Sequence, residues 1–217
     1  YRGREFEDDE NLPSPDTSAN KSAREVGNVL HRSLQQVVKD HPDHWNTPRI
    51  ERQKSFWQMQ LRQSGLNGND AELGSRRIKT ALERMLADPA GRWLLDPEHP
   101  ESACELAIWH RTRDMSYQSG MRESIIDRTF VAAAPGTEDI CRWIVDYKSS
   151  EPSPEQSFED FLQVQREEYR SQLQRYADLM YSESGPKIKT ALYFPLLQHL
   201  EVLDLNDNQA KRPNNSA

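Results

Sequence analysis

The stretch Arg142-Trp143-Ile144-Val145-Asp146-Tyr147-Lys148-Ser149 ends a hydrophobic run with a carboxylate and an ammonium two residues apart. Such a run predicts a buried strand, whose successive side chains alternate between faces. Asp146 and Lys148 are therefore expected to point one way, and Val145 and Tyr147 the other. An acid and a lysine projecting together suit a phosphate held through a cation. The acid binds a divalent ion, and the lysine orients or helps activate the attacking water, or steadies the developing charge. The same pair also fits a strand end that simply reaches solvent.

Three further residues stand out. Asp127 closes the run Ile125-Ile126 much as Asp146 closes Ile144-Val145. If the two strands are antiparallel neighbours, their register decides whether the acids converge. Two carboxylates held close repel each other unless a cation neutralises them. Asp127 is equally able to pair with Arg128 or Arg122. His31 sits at the edge of an apolar helix face, as either a core residue with a satisfied ring or a ligand. Gln172 interrupts an otherwise apolar helical stripe four residues before Tyr176. A polar group there needs a partner to offset desolvation, found either inside the protein or on a bound nucleotide.

The elements that must position these residues follow from period and punctuation. Residues 1–20 are charged and then rich in Pro, Ser, Asp and Asn, and read as a flexible linker. Helices are expected over Ser22–Asp40, Arg49–Gln63 and Asp70–Ala87, with Phe56, Trp57, Leu61, Ile78, Leu82 and Leu86 as core residues of the second and third. Gly27 is expected to permit close backbone packing. Arg76, Arg77, Lys79 and Arg84 are either DNA-backbone contacts or a solvated helix face. After a turn at Pro97–Pro100 the period changes, predicting strands over Ala103–His110, Glu123–Val131 and Arg142–Lys148. A long helix, Glu155–Ser182, carries Phe158, Phe161, Leu162, Tyr169, Leu173, Tyr176 and Met180 on one stripe. Strands at Lys189–Phe194 and Leu200–Leu205 close a domain spanning 21–205, and 206–217 reads as a disordered tail. The order predicts an α/β domain with a mixed sheet flanked by helices, preceded by a helical section.

A chain of 217 residues can bury a real core without staples. Its start at Tyr1, not at a methionine, reads as a piece excised from something longer. Cys104 and Cys141 have neither disulfide-framework nor zinc spacing and read as reduced thiols in a cytoplasmic protein. Nothing resembles a signal peptide or a membrane span. The net charge of −7 argues against a broad phosphate-binding surface acting alone. An acidic metal site can still bind DNA through its cations.

Gly27-Asn28-Val29-Leu30-His31, Ile125-Ile126-Asp127-Arg128, Ile144-Val145-Asp146-Tyr147-Lys148-Ser149 and Tyr169-Arg170-Ser171-Gln172-Leu173-Gln174-Arg175-Tyr176 occur in this order. Together they resemble the RecB-type nuclease domain of the PD-(D/E)XK superfamily, which ends the long chain of several bacterial helicase–nucleases of the UvrD/Rep class. Glu105 resembles the acid of the family's first core strand, and Ala191–Leu196 is similar to its last. The resemblance covers residues 22–205 and implies a restriction-endonuclease-like fold. It assigns His31, Asp127, Asp146 and the Tyr147 backbone carbonyl as metal ligands, and Asp127, Asp146 and Lys148 as catalytic. Gln172 and Tyr176 would belong to the family's glutamine–tyrosine motif and bind substrate. Ser124 and Ser149 stand where the family usually has Gly and Thr; neither change removes a ligand.

The implied activity is a magnesium-dependent deoxyribonuclease, exodeoxyribonuclease V-like, with manganese as a substitute. Its expected role is DNA end processing in recombination and double-strand-break repair. Its expected partners are single-stranded DNA ends and a helicase motor in the same parent chain or complex, in a bacterial cytoplasm. Two cysteines cannot build the four-cysteine iron–sulfur cluster of some relatives, and no phosphate loop of an ATPase is present. An inactive nuclease-like scaffold, and a stand-alone nuclease acting on branched or RNA-containing substrates, remain open from sequence.

Overall fold

A computed structural model describes residues 18–113 and 119–205. Of the linker expected over residues 1–20, residues 1–17 fall outside the described residues and 18–20 belong instead to the first turn of a helix; the tail expected over 206–217 falls outside the described residues. The chain builds α1 (Ser18–Asp40), a short 3-10 turn, α2 (Thr47–Gln63), α3 (Gly68–Ala87) and α4 (Pro89–Leu94). Then come β1 (Ala103–Arg113), β2 (Ser119–Ala133), β3 (Ile140–Tyr147), α5 (Phe158–Met180), β4 (Lys187–Phe194) and β5 (His199–Leu203). No helix among the described residues is long and apolar enough to cross a membrane.

The five strands form one sheet in the order β1-β2-β3-β4-β5, and only the β3–β4 pair is parallel. A parallel pair needs a crossover, and α5 supplies it. Its apolar stripe gives one face of the sheet a core: Phe161, Leu162, Leu173, Tyr176 and Ala177 pack with Ile126, Ile144, Leu192 and Phe194. The helices α1 to α4 cover the opposite face, around Phe130, Trp143, Val145, Tyr147, Ala191 and Tyr193. The mixed sheet between helical layers is therefore observed.

Helix starts follow capping chemistry, where a side-chain oxygen satisfies an orphan amide. Asn46 accepts from the Arg49 amide, Asn67 from Asp70, Asp88 from Gly91 and Ser157 from Asp160. These caps move the starts of α2, α3 and α5 from the boundaries that periodicity suggests. The helix α4 is too short to show a period, although Asp88-Pro89 is a cap-and-proline signal. Phe56 and Phe158 are exposed and do not join the core. Gly27 is not a point of close approach, since a Cβ there would meet only Ser149 Oγ at 4.0 Å. That role belongs to Gly74, where a Cβ would lie 2.7 Å from Val26 Cγ2 and 2.9 Å from Leu61 Cδ1.

One irregularity organises the sheet's edge. In β2, Arg128 and Phe130 face α1–α4, yet Ile126 faces α5. In β1, Cys104 packs toward α1–α4, whereas Leu106 and Ile108 pack toward α5. The pleat thus reverses at Glu105 and Asp127, the two positions skipped between the pairs Cys104↔Arg128 and Leu106↔Ile126. Glu105 takes φ 51°, a left-handed conformation uncommon outside glycine. Such strain costs on the order of 1–3 kcal/mol and concentrates at functional sites.

Candidate active site

The reversal lines up three acids. Glu105 falls opposite Asp127 in the β1–β2 register. The β2–β3 ladder ends at Arg128↔Val145, and one further step brings Asp127 beside Asp146. Beyond the ladder, Asp127 ties itself to β3 by another route: its Oδ2 accepts the Tyr147 backbone N–H at 2.8 Å. Asp127, in the middle of β2, and Asp146, next to the last residue of β3, are thus neighbours close enough to feel each other's charge. Arg128 does not compete for Asp127. Its guanidinium donates instead to the Leu94 and Asp96 carbonyls and to Ser102 Oγ.

From α1, His31 closes the row. Its Nδ1 lies 3.3 Å from Asp127 Oδ1 and its Nε2 3.0 Å from the Tyr147 carbonyl oxygen. Both neighbours are acceptors, so the ring in this arrangement favours the doubly protonated form. Burial works against that charge, but Asp127, aided by Asp146 and Glu105, outweighs it and lifts the His31 pKa to about 9. Burial, together with the neighbouring Asp127 charge, pushes Glu105 up to about 7. Asp127 moves the other way: burial opposes its charge, yet His31 and the Tyr147 amide hold it below the usual carboxylate range. Asp146 is raised, chiefly by burial, with Lys148 opposing and Asp127 adding to the effect.

This is a crowded set of two buried acids, Asp127 and Asp146, and the half-buried Glu105. His31, Glu105 and Asp127 each offer a donor atom, all within 4.8 Å of one another. Oxygen-rich donors with one imidazole fit a hard divalent cation such as magnesium or manganese, which would relieve the repulsion that raises Glu105. Asp146 is not one of these three; it pairs with Lys148.

The family model of the PD-(D/E)XK nuclease superfamily matches residues 5–213. The chain belongs to the PD-(D/E)XK nuclease superfamily. Among curated proteins, none matches it significantly. Its mixed sheet flanked by helices is the restriction-endonuclease-like fold of that superfamily, whose nucleases use divalent metals.

In this superfamily member Lys148 lies just past the end of β3, its backbone N–H still bonded to the Tyr193 carbonyl. Its Nζ pairs with Asp146 Oδ2 at 2.8 Å, so the two side chains share a side as the alternation predicts. The ammonium also lies 3.4 Å from the centre of the Tyr169 ring on α5. Burial would lower its pKa, but Asp146 raises it further, so Lys148 is a firmly charged ammonium. The ring contact was hidden in the sequence, where Tyr169 reads as part of the apolar stripe and opens the glutamine–tyrosine stretch with no role of its own. Gln172 donates from Nε2 to Tyr176 Oη at 2.9 Å. Its buried Oε1 has no hydrogen-bond partner among the described residues.

The arginines and lysine of α3 are engaged within the protein. Arg76 pairs with Glu72, Lys79 with Glu51 and Glu83, and Arg84 bonds the Leu196 carbonyl. Arg77 donates to the Ser149 carbonyl at 2.6 Å and pairs with Glu151 at 2.8 Å, which steadies the segment after Lys148.

Proposed function

We propose that this chain is a divalent-metal-dependent deoxyribonuclease of RecB type, the nuclease part of a helicase–nuclease that processes DNA ends in recombination and double-strand-break repair. The observation that supports it most is the meeting of His31, Glu105, Asp127 and Asp146 beside an ion-paired Lys148. His31, Asp127, Asp146 and the Tyr147 carbonyl would hold the cation, with Glu105 as a further ligand. A bound magnesium ion, or manganese in its place, supplies a Lewis acid for the scissile phosphate.

The protein's own groups do the rest. Lys148 presents an ammonium that orients the attacking water or steadies negative charge on the phosphate. Tyr169 and Asp146 fix where that ammonium points. Gln172, held by Tyr176 and with its Oε1 buried and unpartnered among the described residues, would belong with Tyr176 to the substrate-binding motif. The net charge of −7 leaves little counterion-release energy for gripping duplex, which favours single-stranded ends as substrate and a motor as partner. Incubating the chain with labelled linear and circular single-stranded DNA, with magnesium or with chelator, tests the reading. Magnesium-dependent loss of the linear strand is expected; no cleavage of either form would refute it. Cut circles would show endonucleolytic action.

A further inference from the structure

Four of the five tryptophans are packed into the protein: Trp45, Trp57 and Trp143 are buried and Trp93 is half-buried. The fifth, Trp109 on β1, is 61% exposed. Beyond the pleat reversal Leu106 and Ile108 face α5, so Ala107, Trp109 and Arg111 face the side that carries α1 and His31. The register adds Ile125, Glu123 and Met121 to the same face, opposite Ala107, Trp109 and Arg111. Ala107, Trp109, Arg111 and Met121 are all exposed there. This open stretch continues from the acids along the two strands that carry Glu105 and Asp127. Trp109 lies four residues along β1 from Glu105, about 13 Å.

We propose that Trp109 is a base-stacking platform that holds the single-stranded substrate as it leads to the acids. The inference rests on the nuclease reading above. A bare indole on an open sheet face is the group on which a base of any sequence can stack, and such stacking is a main source of affinity in sequence-tolerant single-strand binding. Arg111, two residues further along β1 on the same face, is an exposed cation for a phosphate, whereas Glu123 sits directly opposite Trp109. Affinity on this face therefore rests on stacking more than on charge.

Because the other indoles are shielded, iodide-accessible fluorescence reports mainly on Trp109, and the difference from Trp109→Phe isolates it. With chelator present to halt cleavage, a thymidine oligonucleotide should shield the Trp109 emission from iodide. With magnesium, Trp109→Ala should raise KM for single-stranded DNA about tenfold or more, leave kcat unchanged, and leave the melting temperature near that of the wild type. Trp109→Phe should restore the KM. Wild-type KM in Trp109→Ala, with Trp109 emission indifferent to DNA in a wild type that cleaves, would overturn the platform and leave the nuclease reading standing. A wild type that neither binds nor cleaves single strands would overturn both. Emission that changes with protein concentration alone, together with a doubled mass, would make this face an interface between copies and refute the platform.

Discussion

The Lys148 ammonium lies 3.4 Å from the centre of the Tyr169 ring while it pairs with Asp146 at 2.8 Å. Asp146 is claimed twice in the proposed site, by Lys148 and by the cation. A cation on Asp146 weakens its hold on the lysine, and the ring face remains to keep the ammonium in place. Such contacts contribute about 0.5–2 kcal/mol. Tyr169→Phe should therefore cleave like the wild type, and Tyr169→Leu should lose several-fold in kcat at unchanged KM. Lys148→Ala should lose roughly a hundredfold or more while it keeps the fold. Steady-state kinetics on the three variants, with melting curves as the control for folding, checks the order. A Lys148→Ala protein of wild-type activity would remove the lysine from the reaction.

Arg128 is a structural counterpart to the site it adjoins. It is fully buried, with the Leu94 carbonyl at 2.8 Å from Nε and the Asp96 carbonyl at 2.7 Å from Nη2. Those two carbonyls belong to the α4 end and the turn after it, so the arginine fastens the helical layer to β2. Replacing it by methionine leaves buried acceptors without donors, which costs on the order of 3 kcal/mol. Urea denaturation of Arg128→Met should show a clearly lower midpoint. An unchanged midpoint would mean that the carbonyls find water or other donors.

Much of the fold was legible because the signals are local. The hydrophobic runs ending at Asp127 and Asp146, the 3.6-residue stripe of α5 and the proline punctuation each act over a few residues. The pairing of the acids was not legible, because register is a relation between strands and a one-residue slip turns a side chain to the other face. The reversal at Glu105 was hidden for the same reason: a positive φ at a glutamate leaves no mark in the sequence. Capping chemistry explains α4, which offers only six residues and no period. Phe56 and Phe158 misled the reading because an aromatic at a helical position is taken as core, whereas here each lies on an exposed face.

Away from the site, Glu201 gives the fold a pH-dependent contribution. Burial would raise its pKa, but His199 at 2.9 Å and Arg166 at 2.7 Å outweigh burial and hold it below the ordinary value of 4.5. The folded pKa lies below the unfolded one, so the stabilisation is complete above the unfolded value and disappears as pH falls through the folded value. Near neutral pH the wild type should melt above Glu201→Gln, and the gap should close as pH falls below the ordinary value of 4.5 and through the lowered folded value. A gap that is independent of pH would show that the charge contributes nothing.

The central claim is that His31, Glu105 and Asp127 form one cation site, and metal-dependent melting tests it most directly. A ligand that binds only the folded state stabilises it by roughly 2.7 kcal/mol at a hundredfold excess over its dissociation constant, or about 5–10 °C for a domain of this size. Magnesium or manganese should raise the wild-type melting temperature by that order, near pH 8, above the Glu105 pKa of about 7. Glu105→Gln should melt at or above the wild type without metal, since a repelled charge is gone, yet it should lose most of the metal-induced rise. Asp127→Asn should lose that rise too, but should melt below the wild type without metal, because His31 loses its ion-pair partner. Full metal-induced shifts in both variants would contradict the site.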